Sequence, residues 1–249
     1  MQTAVVPSEK KYEIKSYEAN ANGEIKPSFL LHHLEDIAHI NADLLGFGYS
    51  NTYERGFGWF VLKYHLKFDR MPKNWETITV KSWPTLQKGI QCRRDFAVYD
   101  EDGNQIGTAA SLWVLIDLNS KRIVPAKKML NYPELEANYS FETEFEKIPP
   151  VENADKEITL TSTYEDIDIN QHVNNANYLT WVLKAIDYDY LTKHSVKEIE
   201  INYKHEISCN SEVLCKTQML YETNQTLHTI SAKETGDEAA NIRITWESR

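Results

Sequence analysis

One arrangement is written twice along this chain of 249 residues: a helix-patterned run followed by a train of strand-like runs. In the first half Leu30, Leu34, Ile37 and Leu44 recur at helical spacing after Pro27 and Ser28, and Gly46 ends the run. Strand-like segments follow at 59–68, 76–83, 91–99 and 105–118, with Asp102-Gly103 as the turn between the last two. In the second half a helical pattern at 174–190 precedes strand-like segments at 196–207, 212–221, 227–233 and 239–247, with Gly236 at the corresponding turn. Short turns join antiparallel neighbours, so the pattern predicts an α+β fold rather than a parallel sheet. The expected organisation is two similar units, 1–132 and 155–249, each an antiparallel sheet wrapped around its own long central helix. The acid-rich stretch between them, 133–154, carries few strand signals and is the expected linker.

Polar chemistry concentrates in DIDINQHVNNANY, residues 166–178. Asp168, Asn170 and His172 stand at alternate positions, which in extended chain share one face. Asn174 and Asn175 fall where the second helix is expected to begin, as residues that favour helix starts. A helix N-terminus leaves backbone N–H groups free and holds negative charge, including the oxyanion of a carbonyl under attack. An acid, an imidazole, an amide and such a helix end are the parts needed to hydrolyse an acyl bond.

Three segments carry a resemblance: DIDINQHVNNANY; INYKHEI at 201–207; and the first-half runs WFVLKYHLKFDRMPKNWETITVKSW and CRRDFAVYDEDGNQIGTAASLWVLIDLNSKRIV. Together they cover most of the chain, which resembles the acyl-acyl-carrier-protein thioesterases, the plant fatty acyl thioesterases and their bacterial relatives. The resemblance implies a tandem double hot-dog fold. It implies hydrolysis of fatty acyl-acyl carrier protein, with the phosphopantetheine-bearing carrier as partner. It adds Glu206, through a strand ending Y-[RK]-x-E matched by Tyr203, Lys204 and Glu206, to Asp168, Asn170 and His172 as catalytic candidates. It assigns the acyl cavity to the first unit, with Trp59, Phe60, Leu112 and Trp113 as candidate lining. Arg93, Arg94, Lys121 and Arg122, with Lys88, Lys127 and Lys128, form a basic group in or beside the first half's strands and are candidates for docking an acidic carrier. Many plant members carry a cysteine directly after the glutamate; here that residue is Ile207, and Cys209 lies two further on. The chemistry left is a carboxylate and imidazole activating water, or a carboxylate acting as nucleophile. Hot-dog folds also support acyl-CoA hydrolysis, hydroxyacyl dehydration and non-catalytic acyl-carrier binding, so the fold does not fix the reaction.

Composition narrows the classes. A net charge of −10 disfavours nucleic acid as a partner. No apolar run approaches the roughly 20 residues of a membrane helix. The N-terminal stretch reads as neither signal nor transit peptide, and three cysteines without metal spacing suit a reducing cytoplasm. His32, His33 and His39 lie on the first helical run without an H-E-x-x-H arrangement, and Gly-rich phosphate loops are absent, so no metal or other cofactor is expected. A homodimer is left open.

Overall fold

Pro27 opens the first long helix, α1 (Pro27–Leu44), where its fixed φ suits the first turn and its missing N–H leaves nothing unpaired. Leu30, Leu31, Leu34, Ile37 and Ala38 are buried along it and give the apolar stripe on which a sheet packs. The computed structural model describes residues 5–130 and 132–249. Around α1 run β1 (Ser8–Glu13), β2 (Phe57–Phe68), β3 (Thr77–Lys88), β4 (Gln91–Tyr99), β5 (Gln105–Asp117) and the short β6 (Arg122–Val124), with two single-turn helices, α2 (Tyr49–Thr52) and α3 (Ala126–Met129). The second half supplies β7 (Lys156–Thr161), α4 (Asn177–Lys184), α5 (Tyr188–Lys193), β8 (His194–Tyr203), β9 (Glu212–Leu220), β10 (Gln225–Ala232) and β11 (Glu238–Ser248).

The strands form one sheet in the order β1-β3-β4-β5-β2-β8-β11-β10-β9-β7, with β6 on β5. The two halves of that order mirror each other about the β2–β8 seam, where Tyr64 lies opposite Ile201 and Leu66 opposite Ile199 in an antiparallel pair. This is the double hot-dog architecture anticipated from the repeat. The units are less separate than expected, however. Leu30, Leu34 and Ile37 of α1 share one apolar core with Leu179 and Val182 of α4 and with Tyr64, Ile201 and Ile242 of the sheet.

Three elements differ from the sequence reading. The second helix starts at Asn177 rather than 174 and stops at Lys184; the chain turns through extended Asp187 before α5. The outer strand β1 is hidden in the sequence because SEKKYE is mostly charged, and β7 because KEITLT offers only two alternating apolar residues, Ile158 and Leu160. Residues 132–155 contain no helix or strand. Tyr132 and Leu135 pack with Phe47, and the stretch beyond them runs along the sheet, accepting hydrogen bonds from Trp83 Nε1 at the Asn138 carbonyl (2.7 Å) and from Arg93 Nη2 at the Phe141 carbonyl (2.7 Å).

Candidate active site

The 168–172 segment is a tight turn, not extended chain. The Gln171 N–H donates to the Asp168 carbonyl at 3.0 Å and the Asp168 N–H to the His172 carbonyl at 2.9 Å. Gln171 takes a left-handed φ of 68° to close it. Asp168, Asn170 and His172 are therefore grouped by turn geometry rather than by strand alternation. The Asp168 carboxylate is turned inward on its own loop: Oδ1 accepts the Asn170 N–H at 2.8 Å and Oδ2 the Asn170 side-chain amide at 3.3 Å. That is the turn-forming habit of aspartate, and it fixes the Asn170 carboxamide.

The end of β8 is latched to this turn. Ile167 and Val173 form an isolated antiparallel bridge across the loop base. The Val173 N–H then donates to the Ile207 carbonyl at 2.8 Å. Each residue just before this bond reaches the other: His172 Nε2 lies 3.1 Å from Glu206 Oε2. Tyr203 Oη donates to the Asn175 carbonyl at 2.8 Å, and Lys204 is paired with Glu238. The Tyr203, Lys204 and Glu206 pattern thus has a part for each member, two holding the strand end and one meeting the imidazole. Partial burial raises the Glu206 carboxyl above the ordinary carboxylate value, against the opposing pull of His172 and Lys121. His172 Nδ1 is buried without a hydrogen-bond partner among the described residues.

The expected oxyanion-binding helix end is corrected. Asn174 Oδ1 accepts the Ala176 N–H at 2.9 Å, and the Asn177 N–H donates to the Asn174 carbonyl at 3.0 Å. Asn174 and Asn175 form a turn ahead of α4, and no residue of α4 lines the cavity beside His172. The wall there is 169–172, so the carboxamides on this side of the cavity are those of Asn170 and Gln171, and Asn170 is the one held by Asp168.

That cavity measures about 330 Å³ and spans both units. Ala38, His39 and Ala42 of α1, with Phe47, Trp59, Phe60, Trp113 and Tyr132, form its first-unit wall. Trp59 and Trp113 are held by indole hydrogen bonds to the Phe47 carbonyl (2.6 Å) and Ser111 Oγ (2.7 Å). Leu112 does not line it; one residue from Trp113 on a strand, it faces the other side of the sheet.

The proposed docking cations divide. Arg93 and Arg94 are only 8% and 6% exposed. Arg93 grips Asp95 through Nε and Nη2, both at 2.8 Å. Arg94 points to the α1 side, where Nη1 donates to Asn41 Oδ1 (2.8 Å) and Ser82 Oγ (3.0 Å), and burial pulls its guanidinium down to about 10. Neither belongs to an open surface. Lys88, Lys121, Arg122, Lys127 and Lys128 are exposed, and Lys121 borders the cavity.

Sequence reasoning missed Glu35, a carboxyl of α1 buried near Asn174 and Asn175 of the turn ahead of α4. Nothing local marks it, since Asp36, the next residue on the same helix, is not buried. Among the described residues the one histidine–carboxylate group with metal-compatible spacing is His65, Glu198 and Glu200. It lies at the β2–β8 seam, and Lys67 and Arg243 already pair with its acids. Of the three cysteines, all free, Cys92 and Cys215 are buried with thiols pushed up to about 12, and Cys209 is exposed.

A sheet curled over two helices, with an aromatic cavity that reaches His172, defines a double hot-dog protein. Residues 7–131 match the family described as acyl-ACP thioesterase N-terminal domain, and residues 151–248 match the acyl-ACP thioesterase C-terminal domain. The chain belongs to the acyl-ACP thioesterase family. It is 26% identical to the chloroplastic oleoyl-acyl carrier protein thioesterase 2 of Arabidopsis thaliana, over 91% of this chain and 65% of that protein. It is 28% identical to a chloroplastic palmitoyl-acyl carrier protein thioesterase of Gossypium hirsutum, over 93% of this chain and 56% of the relative. The chain therefore spans between about half and two-thirds of these relatives' length. In fold it is similar to an acyl-ACP thioesterase from Bacteroides thetaiotaomicron, with a TM-score of 0.87, 23% identity, and coverage of 97% of this chain and 98% of the other. No helix among the described residues is long and apolar enough to cross a membrane.

Proposed function

We propose that this chain hydrolyses the thioester of fatty acyl-acyl carrier protein, releasing free fatty acid and holo-carrier. The observation that carries the reading is the Glu206–His172 pair, 3.1 Å apart, with His172 lining a 330 Å³ cavity walled by Trp59, Trp113 and Phe47. The acyl chain lies along the aromatic wall and the thioester carbonyl stops at the 169–172 turn. Glu206 and His172 together take a proton from water as its oxygen attacks the carbonyl carbon. The Asn170 amide, held by Asp168, donates to the oxygen that becomes negative. The C–S bond then breaks, and the phosphopantetheine thiolate leaves and recovers the proton from the pair. In this reading water is the attacking group and the Glu206–His172 pair is its base.

The carrier docks at Lys121, which borders the cavity, and at the exposed Arg122, Lys88, Lys127 and Lys128. Three free cysteines suit a reducing cytoplasm. The test is hydrolysis of matched acyl-carrier and acyl-CoA thioesters by the purified protein. Carrier substrates are expected to give the higher kcat/KM; equal rates with acyl-CoA would shift the reading to acyl-CoA hydrolysis, and binding without turnover to a carrier-binding protein.

A further inference from the structure

The first unit's central helix inserts one carboxyl into the second unit's site. Glu35 is 8% exposed and stands on the same helix face as Ala38 and His39, which line the cavity one turn further on. The Asn174 and Asn175 side chains lie close enough to its carboxyl to favour its charge, yet among the described residues Oε1 has no hydrogen-bond partner. The buried Tyr64 hydroxyl, from β2, also lacks one among them. The titratable groups that face Glu35 are Asp168 from the turn, Tyr64 from β2, Tyr203 from the end of β8, and His32 on its own helix. His32 Nδ1 comes no nearer than 4.0 Å and is itself half-exposed. Among the described residues no lysine or arginine forms an ion pair with Glu35. A buried carboxylate without a cation is costly, whereas the neutral acid both donates and accepts and so matches two facing carboxamides.

We infer that Glu35 is a positioning residue for the reaction: in its neutral form it braces Asn174 and Asn175, and through them the turn that presents His172 and Asn170 to the substrate. The inference rests on the thioesterase reading above. Two contacts transmit the effect. Tyr203 binds the backbone carbonyl of Asn175, whose side chain lies near Glu35, and Val173, between His172 and Asn174, is pinned to Ile207. Desolvation raises the Glu35 carboxyl to about 7. Above that pH its charge faces Asp168 and opposes the negative charge that develops on the substrate oxygen.

The experiment compares pH profiles of kcat on acyl-carrier substrate for wild type, Glu35→Gln and Glu35→Ala. Wild type is expected to lose activity as pH rises through about 7. Glu35→Gln, which keeps shape and both hydrogen-bonding roles without a charge, is expected to match wild type within about threefold at pH 6 and to lack that alkaline limb. Glu35→Ala is expected to fall roughly tenfold or more across the range. An alkaline limb unchanged in Glu35→Gln, or wild-type turnover in Glu35→Ala, overturns the inference. A second measurement does not depend on turnover: carbon-13 carboxyl titration of the wild-type protein, read with the His172 ring signals. Glu35 titrating near 7 together with a shift at His172 supports the brace, and a Glu35 titration to which His172 is blind overturns it. If no form hydrolyses the carrier substrate while this coupled titration is seen, the proposed function fails and the brace stands.

Discussion

The Val173 N–H donates to the Ile207 carbonyl at 2.8 Å, and this bond lies immediately beside the His172–Glu206 contact. A backbone bond between the two flanking residues sets the separation of the two side chains. The same latch explains why the glutamate follows Tyr203 and Lys204 so closely, since each of those ties the strand end to a different neighbour.

Removing either member of the pair should abolish most catalysis. Glu206→Ala and His172→Ala are each expected to lower kcat by roughly a hundredfold or more, the scale of a lost positioned acid or base. Asp168 acts through the turn, so Asp168→Asn should retain more activity than Asp168→Ala. Single-substrate kinetics on acyl-carrier thioester with parallel thermal melts checks this; wild-type turnover in Glu206→Ala would remove the pair from the mechanism.

Burial divides the basic residues into two groups with opposite phenotypes. Arg122→Glu with Lys128→Glu should raise KM for acyl-carrier substrate, leave acyl-pantetheine hydrolysis unchanged, and reduce the salt sensitivity of the carrier reaction. Arg93→Glu should instead destabilise the fold by about 3–5 kcal/mol, since it strands buried Asp95 without its partner. Denaturant melts together with KM values separate the two outcomes.

Chain length should respond to bulk on the cavity wall and not one strand position away. Ala42 lines the cavity, so Ala42→Phe is expected to shift hydrolysis toward shorter acyl chains. Each methylene that loses its burial is worth about 0.8 kcal/mol, so excluding two or three changes preference at least about tenfold. Leu112→Trp, on the opposite sheet face, should leave the profile where it was. A chain-length panel on both variants is the check.

Stability should carry the Glu35 signature. Its folded value of about 7 lies above the ordinary 4.5, so the folded state holds this proton more tightly than the unfolded chain. The contribution is intact below about 4.5, is lost as pH rises toward 7, and is constant beyond, a total on the order of 3 kcal/mol. Glu35→Gln should therefore gain stability over wild type at pH 8 and not at pH 4.5. Urea melts at the two values test the sign.

A thiol route predicts sensitivity that this protein should not show. Cys209 is the exposed cysteine, while Cys92 and Cys215 are buried with thiols pushed up to about 12. Mild alkylation should label Cys209 alone and leave turnover intact, and Cys209→Ala should behave as wild type.

Local pattern was enough for much of this protein. The spacing of Leu30, Leu34 and Ile37, the Asp102-Gly103 turn and the alternation in the inner strands are decided by neighbours a few residues apart, so the repeated helix-and-sheet plan was legible in the chain. So was the polar group, because Asp168, Asn170 and His172 lie within one turn and Glu206 closes a motif with Tyr203 and Lys204. The tertiary structure decided what distance in the chain conceals. Charged residues read alike in a sequence, yet Arg93, Arg94 and Glu35 are buried while Lys121 and Arg122 are exposed. Glu35 and Asp36 are adjacent on one helix, and only the packing of α1 against the second unit takes Glu35 out of water. Burial of a polar group depends on what long-range packing brings over it, and desolvation by that packing sets its chemistry.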